Sequence, residues 1–379
     1  MIRFGSWSTT LGLGALFGLV VAALLAMSRS NRTANRLLAA LIVLIVLKLC
    51  PYILGFAGYY DAYPWLSFAP FGAGLALGPL LYLHVRRLTE AALPDGWYLH
   101  LLPGALQLGY RLVMFLQPMA VKNAWDERVH APWIDPLETA FELISLTIYL
   151  ALALRAYRRY QAWLESHVSN REEFRIEWLR NVLMLFAALL PLWAVYEALS
   201  YATDFNYFQR FPLYLAFTAL VFYLGLEGWR HAQLRYPLPV ADTPPLAGAA
   251  EPSARDWPSQ GRRWLQQLDD AGWWRDPELG LDRLARHLGT NTAYLSRAFN
   301  EGLGLSFNEA INRLRVAEVQ RQLASEPDAG DLLEIAYAAG FSSKSSFNRV
   351  FKAQTGQTPS HFRESLKQAS AKSAKNQAI

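Results

Sequence analysis

A single cysteine, Cys50, stands in 379 residues, and charged residues make up only 18% of the chain. The lone thiol excludes a disulfide scaffold and a cysteine-rich zinc module. Soluble globular proteins carry about 25% charged residues; the shortfall here, with 53% hydrophobic residues, excludes a disordered or collagen-like chain. No HExxH, GxSxG, Walker or CxxC pattern occurs. The histidines His84, His100, His130, His167, His231, His287 and His361 are scattered. No catalytic residue, metal site or cofactor is therefore expected, and the chain does not read as an enzyme.

What is present is unevenly distributed. Mean hydropathy is +0.10, but the charges of residues 1–254 lie mostly between long apolar runs, whereas residues 255–379 read as a water-soluble, mildly basic domain. The net charge of +5 permits an anionic partner without identifying one. Apolar runs of membrane-spanning length, roughly 20 residues, fall near 9–27, 37–59, 63–84, 98–117, 134–154, 179–201 and 211–229. The expected fold is all-α: a seven-helix transmembrane bundle, then a cytoplasmic domain. A signal peptide is disfavoured because the arginine cluster follows the first run and six more runs come after it.

Orientation follows from lysine and arginine in alternate loops. The loops after runs 1, 3 and 5 hold 11 of them: Arg29, Arg32, Arg36, Arg86, Arg87, Arg155, Arg158, Arg159, Arg171, Arg175 and Arg180. The opposite side holds four, Arg3, Lys122, Arg128 and Arg210. The N-terminus is therefore expected outside the inner membrane, and residues 230–379 in the cytoplasm. Trp7, Trp65, Trp97, Trp133, Trp178 and Trp229 lie near run ends, as an interfacial aromatic belt would.

Five ionisable residues fall within the runs: Lys48, Arg111, Glu138, Glu142 and Glu197. Lys48 sits about 16 Å from either end of its run at 1.5 Å per residue, too deep for its side chain to reach water. Glu138 and Glu142 are one turn apart and share a helix face. Two readings stand side by side: a set of interhelical ion pairs, or a sensor pocket for a small ligand or ion, open to the outside. Pro51, Pro70, Gly78-Pro79, Pro103 and Pro191 predict kinks.

Residues 236–258 hold six prolines and read as a semi-rigid linker between a membrane sensor domain, 1–235, and a helical domain, 259–367. Residues 368–379 read as a frayed polar tail. Within 259–367 two helix-turn-helix patterns flank a longer helix opened by the capping box Ser306-Phe307-Asn308-Glu309. In the first, Gly289 makes the turn and Asn291 caps a helix exposing Thr292, Ala293, Ser296 and Arg297. In the second, Gly340 makes the turn, and the following helix exposes Lys344, Ser345, Asn348, Arg349 and Lys352. Two exposed helices on one chain could enter successive major grooves of B-DNA.

Residues 262–365 resemble the DNA-binding domain of the AraC/XylS family of bacterial transcription regulators. The resemblance rests on TAYLSRAFNEGLGLSFNEAINRLRV and IAYAAGFSSKSSFNRVFKAQTGQTPSHFR. It implies that the helices starting near Thr292 and Ser343 read promoter DNA, without cofactor or metal. Ala293 is small where a larger contact residue would fit, which implies fewer contacts from the first helix. GPLLYLHVRR and HLLPGALQLGYRL look like the seven-span N-terminal regions of a membrane-bound subset of such regulators. The expected partners are double-stranded promoter DNA, the lipid bilayer, a small ligand or ion, RNA polymerase if the chain is an activator, and a second copy if it binds as a homodimer. The alternative is a transporter or channel carrying its own DNA-binding domain. It would favour an inverted repeat, and none is evident.

Overall fold

Runs of Leu, Val, Ile and Ala carry no side-chain polar group that competes for the backbone, so internal hydrogen bonding makes them helical. The structure, a computed structural model, describes residues 2–167, 176–203, 206–234, 236–239, 256–326 and 330–377. They are all-helical, without strands, and the chain divides into two compact units: 1–160 with 176–239, and 161–175 with 240–379. Most of the proline-rich linker, residues 240–255, lies outside the described residues.

In the first unit the long helices are Ser6–Met27 (α1), Arg32–Phe56 (α2), Glu177–Ala202 and Phe211–His231. Shorter ones are Leu77–Thr89 (α3) and Leu102–Phe115 (α4). Met119–Trp125 (α5) continues through a π-helical stretch, Asp126–Ile134, containing Pro132, into Asp135–His167 (α6). In chain order Glu177–Ala202 is α7 and Phe211–His231 is α8.

Five described helical segments, not seven, are long and apolar enough to cross a membrane: Ser6–Met27, Arg32–Phe56, Met119–Leu164, Glu177–Ala202 and Tyr207–His231. The expected spans at 63–84 and 98–117 are replaced by α3 and α4, of 13 and 14 residues, each about 20 Å long against a hydrocarbon core of about 30 Å. The break has a local cause. Pro64 opens a 3₁₀ turn, Pro64–Phe68; Pro70 and Gly72 lie in the irregular backbone that follows, and Gly74–Ala76 makes a second 3₁₀ turn before α3 begins.

These pieces still run from one end of α2 to the other. Tyr59 lies against Phe4, with ring centroids 6.1 Å apart, and Trp7, Phe208 and Phe211 gather around Phe56 at that same end. At the far end, Arg87 and Leu88 line a small pocket with Asn31, Ala34, Tyr236 and Leu238. There Asn35 donates through Nδ2 to the Ala232 carbonyl (3.0 Å), and the Tyr160 hydroxyl donates to that of Pro237 (3.1 Å). Packing of α1 on α8 depends on small residues: a Cβ at Gly14 would lie 2.2 Å from Thr218 Cγ2, and one at Gly18 would lie 2.6 Å from Val221 Cγ1. Small residues at such a crossing let the two backbones approach closely. Large apolar side chains face outward, among them Leu13, Leu16 and Leu19 on α1 and Phe141, Ile144 and Ile148 on α6.

The second unit contains Trp257–Asp270 (α9), Leu281–His287 (α10), Thr292–Arg297 (α11), Phe307–Ser325 (α12), Leu332–Ala338 (α13), Lys344–Thr355 (α14) and Pro359–Gln377 (α15). The backbone of 368–377, read from sequence as a frayed tail, continues α15. Its alanines, lysines and glutamines are strong helix formers. Leu281, Leu284, Leu295, Phe299, Ile311, Phe347 and Phe351 form one continuous core.

Arg315 on α12 crosses that core at 1% exposure. Its Nε donates to the Trp274 carbonyl and its Nη2 to that of Asp276, both at 2.8 Å. Burial pulls the guanidinium down to about 10, so it remains charged at neutral pH. The turn at Gly340 closes over the same place: a Cβ there would lie 2.7 Å from the Arg275 carbonyl oxygen and 2.8 Å from that of Trp274, and its φ of +86° suits glycine. Arg315→Ala should strand both carbonyls and cost roughly 2–4 kcal/mol. Arg315→Lys should recover little of this, because a single ammonium lacks the planar fork. Limited proteolysis of residues 256–377 across a temperature ramp measures both variants. Melting unchanged in Arg315→Ala would show the arginine to be dispensable.

Candidate nucleic-acid interface and buried polar cluster

Both exposed helices begin at side-chain caps. Asn291 accepts from the Tyr294 amide (2.8 Å), and the Ser343 hydroxyl accepts from the Ser346 amide (3.3 Å). The caps set the first turn of each helix, and the apolar residues behind it set which face is shown. α11 buries Leu295, which leaves Ala293 and Arg297 exposed and Thr292 and Ser296 half-buried. α14 buries Ser346, Phe347, Val350 and Phe351, which leaves Lys344, Ser345, Asn348, Arg349 and Lys352 exposed. The sequence-predicted contact residues thus share one face on each helix.

Some of these side chains are already engaged within the protein. Ser296 Oγ accepts from Asn300 Nδ2 at 3.1 Å, and the Ser343 and Ser345 hydroxyls lie 3.2 Å apart. Arg297 donates through Nε and Nη2 to the Glu301 carboxylate at 3.1 and 3.3 Å. Its guanidinium also lies 4.9 Å from the centroid of the Trp257 ring. Glu301 and Trp257 escaped the sequence reading, although the i,i+4 spacing of Arg297 and Glu301 was a usable signal.

In the first unit the five ionisable residues of the apolar runs form three pairs, the sixth partner being Arg210. Lys48 Nζ meets Glu142 Oε2 at 2.9 Å, Arg111 pairs with Glu138, and Glu197 pairs with Arg210 at 3.2 Å. Gln107 donates to the other Glu142 oxygen (2.9 Å) and accepts from the Leu75 amide (3.1 Å). The Lys48 ammonium also lies 3.9 Å from the centroid of the Trp193 ring, whose Nε1 donates to Glu197 at 3.0 Å. One indole therefore joins the first pair to the third. Gln107, Trp193 and Arg210 were missing from the predicted set. Gln107 was legible as a lone polar residue in an apolar run, four before Arg111.

Removing one member of the Lys48–Glu142 pair leaves the other charge buried, which costs roughly 3–5 kcal/mol. Lys48→Met and Glu142→Leu should each lower the SDS concentration at which the full chain unfolds in bicelles, and the double substitution should recover most of the loss. A double variant as unstable as the two single losses combined would show that the pair is not coupled.

Residues 284–365 match a family model described as a helix-turn-helix domain. The probable transcription factor PqrA of Proteus vulgaris is 33% identical over 103 residues, which cover 27% of this chain and 79% of PqrA. An HTH-type transcriptional regulator of Staphylococcus aureus (strain COL) is 35% identical over 86 residues, 23% of this chain and 11% of that much longer protein. A regulator from strain MSSA476 of the same species shows the same identity over the same length. No solved structure matches the chain. The matched stretch contains both capped helices and Arg315, and it points to a DNA-binding regulator rather than an enzyme. With two helix-turn-helix units in the described fold, a family match that contains both capped helices and a similarity covering 79% of PqrA, the chain belongs to the AraC/XylS family of helix-turn-helix transcription regulators.

Proposed function

We propose that the chain is a one-component transcription regulator embedded in the inner membrane, with residues 1–235 as sensor, 236–258 as linker and 259–367 as promoter-DNA reader. One observation carries the reading: a helix-turn-helix domain shares its chain with five described helical segments long and apolar enough to cross a bilayer. The end of the unit that carries Arg32, Arg86 and Arg87 also holds Ala232, Tyr236 and Pro237, which supports a cytoplasmic exit toward the DNA-binding domain.

The three polar pairs are the proposed sensor. A bound ion or polar ligand could replace one partner of a pair and favour a second helix arrangement, and it shifts the equilibrium only by its differential affinity for the two states. The site residues in this reading are Lys48, Arg111, Glu138, Glu142 and Glu197. On the DNA side they are Thr292, Ala293, Ser296, Arg297, Lys344, Ser345, Asn348 and Arg349. RNA polymerase becomes a partner if the chain activates transcription, and a second copy if it binds DNA as a dimer.

Chromatin immunoprecipitation of the full chain tests the DNA arm. Discrete enriched sites are expected, and Arg349→Ala should weaken them by roughly 1–3 kcal/mol of site affinity. Enrichment without discrete sites, or sites indifferent to the substitution, would contradict the assignment of α14. For the sensor arm, Glu142→Gln and Arg111→Gln should leave the protein in the membrane yet lock transcription of the bound targets on or off. Normal accumulation with a wild-type response would make the pairs structural.

A further inference from the structure

Arg297 is held by its side rather than by its tip. Glu301 occupies the edge of the guanidinium formed by Nε and Nη2, and Trp257 covers one face of the plane at 4.9 Å. This side-on pairing leaves the end-on edge, Nη1 and the second proton of Nη2, directed away from Glu301. That edge is the one that donates two parallel hydrogen bonds to guanine O6 and N7. A planar guanidinium fixed on one edge and one face loses little further freedom when it meets a base.

The support for this clamp is itself built in. Trp257 opens α9, capped by the Asp256 carboxylate accepting from the Ser259 amide at 3.1 Å. Its ring lies 6.0 Å from that of Tyr294 on α11. α9 approaches the end of the reading helix through two glycines. A Cβ at Gly302 would lie 2.3 Å from the Trp257 carbonyl oxygen, and one at Gly261 would lie 2.6 Å from that of Ala298. Trp257 is thus placed by backbone contact and not by a mobile side chain alone.

We propose that Glu301 and Trp257 are positioning residues that orient Arg297 to select a G·C base pair in the half-site read by α11. The inference rests on the reading of α11 as a DNA-contacting helix. It predicts an effect of unusual sign. Removing an acidic side chain beside the polyanionic duplex should by charge alone strengthen all binding; removing a positioning residue should weaken the specific complex and leave the non-specific one equal or stronger.

The experiment uses the full chain in nanodiscs at one fixed salt concentration. The probes are a duplex selected from a random library by the wild-type protein and a random-sequence duplex. Glu301→Gln should lower the ratio of specific to random affinity about 5- to 20-fold, without weakening the random duplex. Trp257→Leu should act in the same direction. Arg297→Ala should lower the ratio as well, and adding Glu301→Gln to Arg297→Ala should lower it no further. Replacing the contacted guanine by 7-deazaguanine, which lacks the N7 acceptor, should remove the difference between wild type and Glu301→Gln. A ratio unchanged or raised in Glu301→Gln, while Arg297→Ala still lowers it, would overturn the positioning role and leave the reading helix intact. A ratio unchanged in Arg297→Ala would overturn the reading of Arg297 and the inference with it.

Discussion

Burial of the Glu142 carboxylate is the constraint around which the first unit is arranged. A buried charge without partners is strongly destabilising, so its oxygens are matched from neighbouring segments. α2 supplies Lys48 and α4 supplies Gln107. The backbone near Gly74 comes so close that a Cβ there would lie 2.1–2.3 Å from the carboxylate atoms. Gly72 stands in the same relation to Arg111, with a Cβ position 2.4 Å from its Nε. Two glycines with irregular backbone around them are poor helix material. The interruption before α3 lies where these two long polar side chains approach the backbone.

The second unit uses a buried cation in another way. Arg315 faces two backbone carbonyls rather than a carboxylate, so it binds the segment after α9 to the central helix α12. The Gly340 turn of the second helix-turn-helix packs against those same residues. The turn before α14 is therefore referred to the same internal fixture that holds residues 274–276 to α12. Arg297 extends this logic to the surface, where one carboxylate and one indole hold it.

The helix-turn-helix units were legible in sequence because their signals are local: capping side chains at Asn291 and Ser306, turn glycines at 289 and 340, and apolar residues three and four apart. The charged residues of the apolar runs were legible one by one, since any ionisable group there stands out. Their pairing was not, because Lys48 and Glu142 are 94 positions apart, and nothing local links Glu197 to Arg210 beyond a turn. Hydropathy also overcounted the spans. It registers apolar content and overlooks the backbone, so Pro64, Pro70, Gly72 and Gly74 did not lower the score of a run that cannot be one continuous helix.

The central claim is that one chain crosses the membrane and presents its DNA-binding domain to the cytoplasm. Fusions of a reporter active only outside the inner membrane test it most directly. Joined after Met119, at the start of α5, the reporter should be active; joined after Leu234, beyond α8, it should be silent, and a cytoplasm-active reporter at the same two points should give the reverse. Activity of the outside reporter after Leu234 would place residues 256–377 away from DNA and contradict the account.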